Sequence, residues 1–578
     1  MREFFNKLSE DRYLIQTPMY TMLVEGHFVS VLSDQEPLVQ LDIRSAAPKT
    51  CDDDSDAIPD EEPNTPTLTG VDAQAGKIVF TWENESSLWK KVYRLECTYL
   101  HYIYRVELIG QGRVDAVKYF SGDLSSRAKG SEYNFSEGFM PASNMLDLHN
   151  YAFPASKPFH GYSTEMVPPM FCYAFRTEGC AKHLGFGVVA KPGEHNFHSF
   201  DYQKTEGRRF GRRTGFYLET DQAGHVTVDG RWQAPMILGL TGDDPWQIMQ
   251  QYCDYYFGSG YAKPYKEGKR PRFWHGPFIC GWLEQYLQQK VNRIEGSTIF
   301  DYATQKVYDE LMEKVKKYDL RPVAMFIDDK WQQEYALCQV DTNKFPDFRG
   351  FIDKYHDQGI KTVLWFKLFD PEGLKPELCV TTDEGESRID VSHPEYLRIL
   401  DASLYRLLSA DEGCYNADGF KIDFGFLNPI GRKVKTYSGK YGAELMHDLF
   451  VHIYEKAKAI KADALINCSP CHPYFAHVCD QARIHDYDDQ NRNNYEELAL
   501  RARVFGTALP GVLIDTDNAA FNTHRDTMRW QLSQQFVGVP DLYSMTSTPN
   551  CVLKDADFEA ISQMWRLYSA KIDAKYGE

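Results

Sequence analysis

Gly419-Phe420-Lys421-Ile422-Asp423-Phe424 is the stretch on which the fold turns. It is an apolar run closed by Asp423, and it reads as a buried parallel strand that ends by presenting a carboxylate. Farther on, Arg483-Ile484-His485-Asp486-Tyr487-Asp488-Asp489 has the same character, a strand-like start running into acids. Two acids on two strand ends suggest paired acid chemistry.

Outward from this stretch, short apolar runs alternate with longer segments of helical period. The strand candidates are Phe273 to Trp282, Val323 to Asp329, Thr362 to Phe369, Gly419 to Phe424, Ala464 to Asn467, Arg483 to Asp486, Gly511 to Asp515 and Asp541 to Met545. Helical stretches fall between them, such as Thr304 to Lys317, Phe351 to Gln358, Ala443 to Lys461, Tyr495 to Phe505 and Arg525 to Phe536, and Asp557 to Lys571 follows the last strand. Eight β-then-α units over roughly 300 residues are the count and length of a (β/α)8 barrel, whose active sites lie at the carboxyl ends of the strands.

Residues 1–265 have a different texture. Short strand-like runs such as Gly76 to Trp82 and Leu95 to Gly110 are broken by Gly, Asn and Asp turns, which predicts an antiparallel β-sandwich. The basic linker Tyr265-Lys266-Glu267-Gly268-Lys269-Arg270-Pro271 then leads into the barrel, expected over 266–578. The acid run Cys51-Asp52-Asp53-Asp54-Ser55-Asp56 is read as a solvated loop, because it lacks the glycine and final glutamate of a calcium-binding EF-hand.

Composition narrows the partners. A formal net charge of −18 at pH 7 argues against a nucleic-acid surface, which needs clustered Lys and Arg. No segment approaches the roughly 18 apolar residues of a membrane span. Aromatic residues make up 14% of the chain and could stack on sugar rings or simply fill the core. Thirteen cysteines without a regular framework favour a reducing compartment, and the N-terminus has no signal-like apolar stretch, so a cytoplasmic location is expected. A secreted protein with its signal removed would read the same.

Polar residues crowd the strand ends: Asp328, Asp329 and Trp331 after strand two, Trp365 and Lys367 in strand three, Lys421 and Asp423 in strand four, Asn467 and Cys468 after five, the 486–489 acids after six, Asp515 and Asp517 after seven. Each such acid could instead cap the following helix. Glycosidic hydrolysis without a metal needs one carboxyl to protonate the leaving oxygen and another to attack the anomeric carbon or activate water at it. Asp423 and an acid of the 486–489 cluster can supply that pair. Lys421 shares a strand face with Asp423 and would favour its ionised form. Asp328 and Asp329 could accept from adjacent sugar hydroxyls, with Trp331 or Trp365 beneath the ring.

With these residues in place, the chain resembles clan D glycoside hydrolases, within them the family 36 and family 27 α-galactosidases. Ile327-Asp328-Asp329-Lys330-Trp331-Gln332 with Lys344-Phe345-Pro346-Asp347 is similar to the D-D-G-W element and its downstream F-P. Lys421-Ile422-Asp423 is similar to the K-x-D that carries the nucleophile. Cys468-Ser469 is similar to the C-S element, and Ile484 to Asp489 to the segment whose S-D-D holds the acid/base. The resemblance implies Asp423 as nucleophile, Asp488 as acid/base with Asp486 in reserve, and Cys468 and Asp489 in the substrate site. It implies a retaining, exo-acting α-galactosidase-like enzyme on an oligosaccharide or glycoconjugate, with no cofactor and no metal. Lys330 replaces the usual glycine, Pro470-Cys471-His472-Pro473 stands in place of a glycine-rich segment, and no C-terminal β-domain follows the last helix. Family 31 α-glucosidases, whose acids also lie on strands four and six, are the near competitor. A transglycosylase or an inactive sugar-binding barrel would share the pattern, homo-oligomerisation stays open, and Cys468, Cys471, His472, His477, Cys479 and His485 form a weaker zinc alternative.

Overall fold

The computed structural model describes residues 4–33, 36–124, 168–176, 182–206, 214–266, 268, 270–484, 487–488, 494–517, 519–520, 523–546 and 553–576. All eight expected barrel strands are present: Phe278–Cys280 (β1), Ala324–Ile327 (β2), Lys361–Lys367 (β3), Gly419–Asp423 (β4), Leu465–Cys468 (β5), Gln481–Arg483 (β6), Leu513–Asp515 (β7) and Asp541–Leu542 (β8). They pair in parallel in the order β7-β6-β5-β4-β3-β2-β1-β8. The ring closes through a single parallel bridge, Asp515 to Val539, just before β8.

Gly419 begins β4 because a larger residue would not fit. Its φ is +149°, and a Cβ there would lie 2.2 Å from the Leu465 carbonyl oxygen of β5. Beyond it the strand alternates as a barrel strand must. Phe420 and Ile422 join the apolar layer under the helices, where Leu404, Leu449 and Phe450 also lie. Lys421 and Asp423 face the other way, inward.

The barrel interior changes character along its axis. At the strands' amino ends it is apolar: Phe273, Trp274, Phe278, Ala324, Phe326, Val363, Leu465 and Val539 pack together, with Phe278 and Phe326 stacked at 4.2 Å. At the carboxyl ends Asp328, Lys421, Asp423, Asn467, Arg483, Asp515 and Asp517 are all buried. A plug of side chains thus supports a polar floor.

Three barrel segments differ from expectation: of the first expected strand, Phe273 to Trp282, only Phe278–Cys280 is strand, between the helical turn Arg272–His275 and the helix Trp282–Asn292. β6 ends at Arg483, so its last residue is a cation, and Asp488 lies beyond it in the two-residue strand Tyr487–Asp488. The connection from β5 to β6 carries only a 3-10 helix, Pro473–Val478. Pro470 and Pro473 explain this, since each lacks an N–H and fixes φ. Side chains cap several of the other helices: Thr304 accepts from Val307 N at 3.3 Å and Asp347 from Gly350 N at 2.8 Å.

The N-terminal strands form one antiparallel network of fifteen, folded into two layers. The strand Tyr102–Leu124 links the layers, pairing with Lys90–Thr98 along its first half and with Glu36–Asp42 at its last four residues. The stretch from Leu95 to Gly110, expected as one run, is therefore a hairpin. Tyr13 meets Phe80 edge-on at 5.3 Å across the layers. The acid run is more than a solvated loop: Asp53 pairs with Arg113 at 2.7 Å and Lys435 at 3.0 Å, and Asp54 with Lys433 at 2.8 Å. It clasps the excursion that follows β4.

Candidate active site

Asp423 sits at the carboxyl end of β4 with its side chain 9% exposed. Oδ1 accepts from Arg483 Nη2 at 2.8 Å and from Phe424 N at 2.7 Å, and Oδ2 accepts from Trp365 Nε1 at 2.9 Å. Burial opposes its charge. The Arg483 guanidinium, the Lys421 ammonium and the Trp365 and Phe424 hydrogen bonds outweigh burial and hold the carboxyl well below the usual range. Asp423 is an anion at any physiological pH.

Lys421 makes its direct pair with Asp328, Nζ to Oδ2 at 2.8 Å, and acts on Asp423 only through space. Asp328 also accepts from Asp329 N at 2.8 Å and from Cys280 Sγ at 3.0 Å. Asp329 turns away and accepts from Tyr335 Oη at 2.9 Å. Burial, then the Asp328 charge, push it up to about 7. One acid of the Asp-Asp pair is locked in an ion pair, and the other is poised between its charged and neutral forms.

Trp365 and Trp331 belong to the support. Trp365 is 1% exposed and donates to Asp423, while Trp331 is fully enclosed, stacks on Phe348 at 5.5 Å and donates to the Trp365 carbonyl at 2.9 Å. Of the two tryptophans expected beneath a sugar ring, Trp331 or Trp365, Trp331 has one indole face covered by Phe348 and the rest by the core. Cys468 likewise packs in the core, and burial, then Cys479, keep its thiol well above its ordinary range. Asp488 has its backbone in a two-residue parallel pairing with Ala520. Its side chain, together with Asp486 and Asp489, lies outside the described residues.

Arg483 is the residue that sequence reasoning missed. Fully buried, it joins Asp423 to Asp517 (Nη1 to Oδ2, 2.9 Å), and Tyr543 donates to the same Asp517 at 2.9 Å. Its signal was present, a cation opening a strand-like run inside a ring of acids, but it read as a strand start. Helix capping does not account for Asp328, Asp329, Asp423, Asp515 or Asp517: the helices that follow are capped by Asp347 and Thr523 or start at Gly442.

Lys330, where clan D sequences carry glycine, has φ +71°. Its ammonium pairs with Glu372 and lies 3.8 Å over the Tyr335 ring. Those contacts offset the left-handed backbone.

Of the residues of the zinc alternative, His472 and Cys471 are engaged elsewhere. His472 Nδ1 accepts from Tyr474 N at 3.1 Å and Nε2 meets Tyr252 Oη at 3.0 Å, Cys471 packs in the core, and His485 lies outside the described residues. Among the described residues, Glu444, His447 and Asp448 bring ligand atoms within 4.8 Å of one another. Lys440 already lies 2.5 Å from Asp448 and 3.8 Å from Glu444.

Residues 294–469 match the model of the family described as glycosyl hydrolases family 31 TIM-barrel domain, a span that runs from before β2 through β5. A family 31 sulfoquinovosidase from E. rectale, solved with an aza-sugar inhibitor, superposes with a TM-score of 0.57 at 12% identity, over 99% of this chain and 84% of that one. The family 36 α-galactosidase AgaB from Geobacillus stearothermophilus gives 0.54 at 10% identity, over 98% and 86%. The barrel is clan-D-like. No curated protein matches the sequence. A cycloalternan-forming enzyme from Listeria monocytogenes gives 0.52 at 10% identity, and this chain spans 59% of its length. The barrel that carries Asp423 at the end of β4 thus has the fold of these glycoside hydrolases.

Proposed function

We propose that the protein is a retaining, exo-acting α-glycosidase, α-galactosidase-like, with Asp423 as nucleophile and Asp488 as acid/base. The observation that carries this is the Asp423 carboxylate, kept ionised and oriented by three donors at the end of β4. Oδ1 spends both lone pairs on Arg483 and Phe424, whereas Oδ2 spends one on Trp365. Oδ2 is therefore the attacking oxygen. It bonds to the anomeric carbon as the glycosidic C–O bond breaks, and the departing oxygen takes the Asp488 proton. Water then attacks the glycosyl ester, giving its proton to Asp488 and releasing Asp423. Lys421 and Asp328, with Asp329 beside them, line the floor where ring hydroxyls would bind.

The match of residues 294–469 to the family 31 barrel favours a second reading, an α-glucosidase-like specificity on the same machinery. A panel of aryl α-galactoside, α-N-acetylgalactosaminide, α-glucoside and α-arabinopyranoside, with the first product's anomer followed by NMR, tests both. The α-anomer appearing first is expected. A β-anomer first would exclude retention, and no turnover across the panel would exclude an exo-α-glycosidase of these sugars. Asp488→Ala should slow substrates with poor leaving groups more than those with good ones. Equal losses would move the acid/base role elsewhere.

A further inference from the structure

A cavity of about 230 Å³ lies away from Asp423, between the N-terminal sheet and the excursion that follows β4. Its wall includes Asn196, His225, Trp232 and Gln233 from the N-terminal domain and Ser438 and Lys440 from the excursion. This seam is fixed by direct bonds. His225 Nε2 meets the Gly431 carbonyl at 2.8 Å and its ring stacks on Tyr441 at 4.0 Å, while Tyr441 N donates to Asn196 Oδ1 at 3.0 Å and Tyr441 Oη meets His198 Nδ1 at 2.8 Å. On its other side the excursion is held by the acid clasp of Asp53 and Asp54. The cavity is preformed.

We infer that this cavity is a second binding site, for one neutral pyranose ring. Its volume is below the ~300–1,000 Å³ of pockets for drug-sized ligands, which suits one small ring. On the same wall Gln222 Oε1 is buried without a hydrogen-bond partner among the described residues and Gln233 adds a second amide, so acceptor and donor lie together, as a ring bearing adjacent hydroxyls requires. Trp232 is partly exposed and supplies a flat apolar face with an N–H at its edge. Glu194 and Lys440 on the wall are of opposite charge, so no net charge selects an anion or cation. The excursion that forms one wall starts at Phe424, the residue after the proposed nucleophile, so a sugar held here docks on the same segment that leaves the active site. The inference does not depend on Asp423 being catalytic.

The test is titration of full-length protein with methyl α-D-glucopyranoside and methyl α-D-galactopyranoside, read by saturation-transfer NMR and calorimetry. Wild type, Trp232→Ala, Trp232→Phe and Gln233→Ala are compared, each checked for an unchanged melting temperature. A site weakened at least about tenfold by Trp232→Ala, kept by Trp232→Phe and weakened by Gln233→Ala is expected from loss of a stacking face and an amide. Binding equal in all four proteins, or no binding beyond that at the barrel mouth, overturns the inference. If Trp232→Ala melts early, the Gln233→Ala result alone decides in the same way.

Discussion

Arg483→Met removes the guanidinium that joins Asp423 to Asp517 and leaves both carboxylates buried. Its contacts are at 2.8 and 2.9 Å and its side chain is fully enclosed, so water cannot replace it. Removing one partner of a buried pair costs about 3–5 kcal/mol, because the stranded charge keeps its desolvation penalty. Asp423 has its carboxyl depressed in the folded state, so its contribution to stability is present above the unfolded carboxylate range and lost as pH falls through the folded value. At pH 7 the loss on Arg483→Met is therefore felt in full. Asp423→Asn in the Arg483→Met background removes one stranded charge and should recover about 1.5 kcal/mol or more, the scale of coupling between close charge pairs. The assay is chemical denaturation of wild type, both single variants and the double variant, followed by tryptophan fluorescence at pH 7. Effects that add within about 0.5 kcal/mol would refute the coupling.

Asp329→Asn keeps an acceptor for Tyr335 while abolishing a charge. Since burial raises Asp329 to about 7 in the fold, its ionisation destabilises the protein fully above that pH and not at all below the unfolded value near 4. The variant should gain up to about 4 kcal/mol at pH 8 and nothing near pH 4, read as the difference in melting temperature across pH. A gain that does not vary with pH would contradict the assignment. At the other end of β4, Asp418 is opposed by burial but held down to about 2 by His356, Lys461 and Lys361. Asp418→Asn should cost about 2 kcal/mol at pH 7, and the cost should vanish as pH falls from about 4 through 2. Lys330→Gly relieves the left-handed backbone as it loses the Glu372 and Tyr335 contacts, whereas Lys330→Ala loses the contacts and keeps the strain. The alanine variant should be the less stable by about 1 kcal/mol. The reverse order would mean that Lys330 carries no strain.

The barrel was legible because its signal is repeated. Eight apolar runs with helical segments between them leave few other architectures, and Gly419 and Asp423 marked the two ends of the decisive strand. The ends of strands were less legible, because an apolar run does not say where pairing stops. β6 stops at Arg483, and that shift of three residues turned an expected carboxylate into the cation that orients Asp423. Partner choice was not legible either. Lys421 and Asp423 share a face, but Lys421 binds Asp328, 93 residues away, and only the barrel brings them together. Trp331 resembled a sugar platform by motif and lies in the core by packing, since a tryptophan four residues past a strand end can turn inward or outward with the same local sequence.

The central claim is that Asp423 forms the covalent bond to the sugar. Incubation with 5-fluoro-α-glucosyl and 5-fluoro-α-galactosyl fluorides, followed by proteolysis and mass spectrometry, tests it directly, because these reagents need no acid catalyst to leave and their esters hydrolyse slowly. One glycosyl ester on the peptide containing Asp423, absent in Asp423→Asn, is the predicted result. An ester on another carboxylate, or turnover of the parent glycoside by Asp423→Asn at the wild-type rate, would contradict it.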